Sequence, residues 1–160
     1  AEKIVMVHQP PHGSGLLLPP PLVSFVARRA GRTGATIMGA LQRLTLVHMD
    51  WRDPLVALKA VGVLQPLLSE EGGWDVRDHT FEALAPHLDP LKPQHREEFC
   101  IYVMHHLQAL PEDQVACYFG RAPGQIYRIA KQGCKRVQGG EWTEMVARCE
   151  KVLLDSFFLT

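Results

Sequence analysis

Five basic side chains, Arg121, Arg128, Lys131, Lys135 and Arg136, fall between positions 121 and 137 with no acidic residue among them. Cations three, four and seven residues apart on a helix share one side of it. Their chemistry is the neutralisation of phosphate. Gln125 and Tyr127 sit at the front of the same run. A glutamine amide can pair with an adenine edge in the major groove. The candidate DNA-binding set is therefore Arg121, Gln125, Tyr127, Arg128, Lys131, Lys135 and Arg136. Of these, Arg121, Gln125 and Tyr127 are expected near bases, and the remaining four mostly on phosphates.

The flanking residues say how this set would be held. Val115, Phe119, Ile126 and Ile129 fall where two consecutive helices would face a common core. Ala116 allows close approach, and Gly120 can take the left-handed conformation that a tight turn needs. Pro123 suits the first turn of a helix, where a missing N–H costs nothing. The spacing predicts a helix-turn-helix with its recognition helix over about 123–137.

A second set repeats part of this pattern. Val26, Ala27, Gly31, Arg32 and Ile37 stand at the spacings of Val115, Ala116, Gly120, Arg121 and Ile126, 89 residues earlier. A second helix-turn-helix near the N-terminus would offer Arg28, Arg29, Arg32, Thr33 and Thr36 to DNA, with Thr33 as a helix cap. The prolines Pro19 to Pro21 occupy the place of the helix that should precede it.

Other chemistry has little support. The eight histidines form no HExxH or paired-ligand pattern, and no GxxxxGK[ST] loop is present. His106 is expected on an apolar face as a core histidine. The four cysteines, Cys100, Cys117, Cys134 and Cys149, follow no common zinc spacing and are expected to be buried reduced thiols. Glu70-Glu71 and Glu97-Glu98 are expected to be exposed carboxylate pairs. No enzyme activity, cofactor or metal site is expected.

Around these residues the chain reads as all-α, a helical bundle. Residues 1–21 form a Pro/Gly-rich arm, 22–90 an N-terminal helical region and 91–160 the helix-turn-helix domain. A helix should start at Asp53-Pro54 and run to Glu70-Glu71-Gly72-Gly73, with Leu55, Leu58, Val61, Leu64 and Leu68 as its apolar stripe. Trp74 falls in a turn, Asp75 or Asp78 caps the next helix, and Pro86 ends or kinks it. The helix after Pro93 carries Phe99, Tyr102, Val103, His106 and Leu107 on one face. The last helix carries Trp142, Met145, Val146, Cys149, Val152 and Leu153. No apolar run suffices for a membrane span, and no export signal is read, so the cytoplasm is the expected location.

Net charge is zero but unevenly spread. Residues 50–113 hold twelve of the seventeen carboxylates, and residues 114–160 hold seven cations against four carboxylates. Nucleic-acid binding follows the local basic surface, so the neutral total does not exclude it.

The segment from Tyr102 to Arg121 resembles the DNA-binding C-terminal domain of the bacterial replication initiator DnaA, a Trp-repressor-like fold. Tyr102, Leu107, Leu110, Val115, Phe119, Gly120, Arg121 and Ile126 match the family's pattern without a gap, and the resemblance spans residues 96–158. It implies a minor-groove role for Arg121 and major-groove reading by the residues that follow. The family's Asp-His-Thr-Thr at the reading positions is replaced by Ala122-Pro123-Gly124-Gln125. The same segment is nearly as similar to region 4 of sigma factors, aligning from Val115. Both resemblances imply a helical DNA-binding scaffold. The expected function is a sequence-specific duplex-DNA-binding transcriptional regulator of bacterial or phage origin. The alternative is a protein-interaction module derived from a helix-turn-helix, with RNA polymerase or a replication protein as partner.

Overall fold

A computed structural model describes residues 20–29, 53 and 55–158. Among these there are eight α-helices and no strand, so the fold is all-α. In chain order they are α1 (Pro20–Arg29), α2 (Val56–Val63), α3 (Gln65–Gly72), α4 (Val76–Leu84), α5 (Pro93–Tyr102), α6 (Glu112–Phe119), α7 (Pro123–Gln138) and α8 (Thr143–Phe158). A 3-10 turn, Ala85–His87, follows α4, and a π-turn, Val103–Leu107, follows α5.

The helix α1 starts inside the stretch expected to be an irregular arm. Pro20 and Pro21 lie in its first turn, where the backbone N–H groups have no intrahelical partner to lose. Leu22, Val23, Phe25 and Val26 are buried. Phe25 meets Trp74, Phe157 and Phe158 edge to face, with ring centroids 5.4, 5.9 and 5.7 Å away. These contacts fasten α1 to the end of α8. The expected second helix-turn-helix falls on the described residues only as far as position 29. Arg32, Thr33 and Thr36 lie outside them, as does the side chain of Arg29; Arg28 is exposed on α1.

The single helix expected between positions 53 and 71 is two. Leu64 ends α2 and leads into α3. Pro66, at the start of α3, lacks the N–H that would continue the ladder to Gly62, and its ring would crowd that carbonyl. The apolar stripe survives the break, since Leu58, Val61, Leu64 and Leu68 are all buried. The carboxylate of Asp53 accepts from the Leu55 N–H at 3.0 Å, just ahead of α2. Asp75 caps α4 by accepting from the Arg77 N–H at 2.8 Å, and the helix gives way to the 3-10 turn at Pro86.

One apolar core joins these elements. It runs from Leu22 and Phe25 through Leu64, Leu84, Phe99 and Met104 to Val115, Ile126, Trp142 and Leu153. Buried polar links cross it: the Val76 N–H donates to Gln65 Oε1 at 2.7 Å, and the Thr80 hydroxyl to Gln108 Oε1 at 2.9 Å. No described helix is long and apolar enough to cross a membrane.

Candidate nucleic-acid interface

The basic set is carried by α6, the turn after it, and α7. Glu112 and Asp113 lie in the first turn of α6, where carboxylates favour the positive end of the helix. Val115 and Ala116 are buried on its inner side. Gly120 ends it at φ +68°, and the Arg121 N–H reaches back to the Ala116 carbonyl at 2.9 Å. That six-to-one bond closes a Schellman turn, which needs a residue free to adopt the left-handed region at this point. Pro123 then opens α7.

The helix α7 has two distinct sides. Ile126, Ala130 and Gly133 are buried against the core, with Ile129 and Val137 partly so. Gly133 is pressed on the Tyr102 ring: a Cβ at this position would lie 2.5 Å from Tyr102 Cδ1. The absence of a side chain is what lets α7 seat on α5 so closely. Exposed on the opposite side are Pro123, Gly124, Tyr127, Arg128, Lys131, Gln132, Lys135 and Gln138. This face holds three cations, an aromatic ring, two amides and no carboxylate.

The structure divides the seven expected DNA-binding residues into two groups. Tyr127, Arg128, Lys131 and Lys135 are exposed and make no hydrogen bond or ion pair among the described residues. Arg121, Gln125 and Arg136 are engaged. Arg121 Nε donates to Glu97 Oε1 at 2.7 Å. The Gln125 side-chain oxygen accepts from the Ala122 N–H at 3.2 Å and so caps its own helix. Arg136 Nη1 donates to Glu98 Oε2 at 3.1 Å, its Nε lies 3.8 Å from Glu141, and its guanidinium carbon lies 5.0 Å from the centre of the buried Trp142 ring. Glu97 and Glu98, expected as an exposed pair, are partly buried and paired with these arginines. Charge runs in the sequence do not show such pairing, because the partners are 24 and 38 residues apart.

Arg121, Gln125, Arg128, Ile129 and Gln132 line an open depression of about 230 Å³ on the flank of α7. Its polar lining consists of donors and amides, and its carboxylate neighbour, Glu97, is bonded to Arg121.

Two expectations about nucleophilic and basic side chains need correction. His106 is exposed, not in the core. It lies on the π-turn that interrupts the regular continuation of α5, and the wider turn shifts the face that a 3.6-residue period would assign. Of the cysteines, Cys100 and Cys149 are buried, Cys117 is exposed and Cys134 partly exposed. Burial pushes the Cys100 thiol up to about 12 and the Cys149 thiol up to about 11, so both stay protonated at neutral pH. Among the described residues no three His, Cys, Asp or Glu side chains converge on a metal position.

No family model matches the chain, and neither the curated proteins nor the solved structures contain a significant match to it.

Proposed function

We propose that the protein is a sequence-specific regulator that binds duplex DNA with α7 in the major groove. The observation that carries this reading is the exposed face of α7, where Arg128, Lys131 and Lys135 stand together without a carboxylate. A helix of sixteen residues is about 24 Å long, enough to lie along a groove that admits one helix. In this reading Lys131 and Lys135 hold phosphates, while Tyr127 and Arg128, near the front of α7, approach base edges. Arg121 reaches the backbone or the minor groove after exchanging Glu97 for phosphate. The α6–turn–α7 unit then acts as a helix-turn-helix of the kind the DnaA and sigma resemblances imply, in a bacterial or phage regulator.

A second reading has its own support. Gln125 and Arg121 are both committed to bonds within the fold. That arrangement suits a helix-turn-helix scaffold whose α7 face docks on an acidic protein surface, such as one of RNA polymerase or a replication protein.

Simultaneous replacement of Arg128, Lys131 and Lys135 by Ala separates the two. All three are exposed, so folding should be unaffected. The DNA reading expects measurable duplex binding by the unaltered protein at low salt, and a salt slope flatter by about one for each phosphate that the variant no longer neutralises. Selection from a random duplex library should enrich a defined site. Unchanged duplex binding by the triple variant would sink the proposal.

A further inference from the structure

The depression on the flank of α7 has a lining that narrows what it can hold. Two of its side chains are guanidiniums, Arg121 and Arg128; two are amides, Gln125 and Gln132; Ile129 is apolar. Among the described residues Arg121 is bonded only through Nε, to Glu97, so its two Nη groups remain to donate. Gln125 Oε1 is taken by the Ala122 N–H, which leaves the side-chain NH2 as a donor. Arg128 is exposed. The lining is therefore rich in donors and carries two positive charges. A phosphate monoester matches both, with three acceptor oxygens and a charge of about −1.5 to −2 at neutral pH. Arg121 already holds an anion within the fold, the carboxylate of Glu97. Size narrows the choice further. The volume of about 230 Å³ is several times the roughly 30 Å³ of a water molecule, so a bare phosphate would leave much of it to solvent. It is also below the roughly 300–1,000 Å³ that encloses a drug-sized ligand, so a large cofactor would stand mostly outside. Ile129 offers an apolar surface to a flat ring, and the Gln132 amide can pair its donor and acceptor with a base edge.

We propose that this depression is a binding site for a nucleoside monophosphate, with the phosphate between Arg121 and Arg128 and the base over Ile129 against Gln132. Guanidinium forks bond phosphate oxygens in pairs, and the Gln125 NH2 adds a neutral donor. The site lies beside the face that carries Lys131 and Lys135 but shares Arg128 with it. A bound nucleotide occupies that guanidinium and brings negative charge to the edge of the basic face. Nucleotide and duplex therefore exclude one another. This consequence rests on the DNA reading above, whereas the binding of nucleotide does not.

The test titrates the full chain with AMP, adenosine and inorganic phosphate in turn. Backbone amide shifts followed by NMR give affinity and place together. AMP should move the amides of residues 121–132 most, and should bind about tenfold more tightly than adenosine or phosphate alone. Arg121→Ala should weaken AMP binding about tenfold, the loss of a hydrogen-bonded charge. Glu97→Gln, which removes the competing carboxylate, should tighten AMP binding several-fold, a gain that damage to the fold would not produce. A flat AMP titration, shifts centred outside residues 121–132, equal affinity for phosphate and AMP, or an affinity unmoved by Glu97→Gln would overturn the proposal. In a competition with labelled duplex, AMP should release the duplex as it fills the site; a complex holding both would overturn the exclusion. Normal duplex binding without AMP binding would sink the nucleotide site and leave the DNA reading intact. AMP binding by a protein that binds no duplex would do the reverse.

Discussion

Arg121 Nε lies 2.7 Å from Glu97 Oε1, which ties the residue that enters α7 to the side of α5. The pair is partly open, with side-chain exposures of 32% and 44%, and an ion pair of that kind contributes only about 0–1 kcal/mol. Phosphate can displace a carboxylate held so weakly. Glu97→Gln keeps the shape of the side chain and removes the competitor. It is expected to tighten duplex binding and to steepen the salt slope by up to about one, as Arg121 becomes free to pair with a phosphate. A titration over several salt concentrations reads the slope directly. An unaltered slope would mean that Arg121 stays out of the interface.

The other engaged arginine leads to a different expectation. Arg136 lies over the buried Trp142 ring and bonds Glu98, so its replacement removes an interaction within the fold. Arg136→Ala should cost about 1–2 kcal/mol of stability, because the cation–π interaction disappears and Glu98 is left unpaired. Lys135→Ala, one position away but exposed, should stay within about 0.5 kcal/mol. Urea unfolding of both variants makes the comparison. Equal midpoints would show that Arg136 stands free in solution.

The contrast shows what the sequence could and could not convey. Period and punctuation mark both ends of α4, the end of α6 and the start of α7, at Asp75, Pro86, Gly120 and Pro123, but run α2 and α3 together across Pro66. The apolar side of α7 was legible for the same reason. Which cations are free was not, because Glu97 and Glu98 meet Arg121 and Arg136 only through tertiary packing. A regular helical period puts His106 on the apolar face, but Val103–Leu107 form a π-turn that carries it to the surface. The Pro/Gly-rich composition of residues 1–21 hides the start of α1, because Pro20 and Pro21 sit in its first turn, where proline breaks nothing.

Asp75 supplies a pH-dependent element of stability. Burial pushes its carboxyl up, but the Arg77 side chain and backbone bonds together with the Arg77 charge outweigh that, and the net pKa is lowered. The guanidinium is fixed from its far side by the Gln114 carbonyl at 2.9 Å, so α4 is bound to α6 through this pair. A carboxylate with a depressed folded pKa stabilises fully above the unfolded value of about 3.9 and loses that contribution as pH falls through the folded value. Asp75→Ala removes both the cap and the pair. It should cost about 1–2 kcal/mol at pH 7. The gap between the variant and the unaltered protein should close below about pH 4. Thermal unfolding at neutral, mildly acidic and strongly acidic pH measures this, and a gap independent of pH would refute the linkage.

The seat of α7 on α5 gives a prediction of opposite signs at two glycines in the same helix. At Gly133 an added methyl would meet Tyr102 Cδ1, Cγ and Cβ at 2.5, 2.8 and 2.9 Å, too close for any pair of carbons. At Gly124 nothing lies within 4 Å. Alanine improves helix propensity by up to about 1 kcal/mol over glycine at an interior position, and less near a helix end. Overpacking a filled site costs about 1–3 kcal/mol. Gly124→Ala should therefore be neutral or slightly stabilising, and Gly133→Ala should cost about 1–2 kcal/mol net. The ring of Tyr102 has little room to give, since His106 stacks on one side and Trp142 meets it at 6.1 Å. Because α7 carries Arg128, Lys131 and Lys135, the displacement at Gly133 also moves the basic face. The prediction is a lower unfolding midpoint together with weaker duplex binding for Gly133→Ala, and neither change for Gly124→Ala; a stabilised Gly133→Ala would show that α7 does not rest on Tyr102.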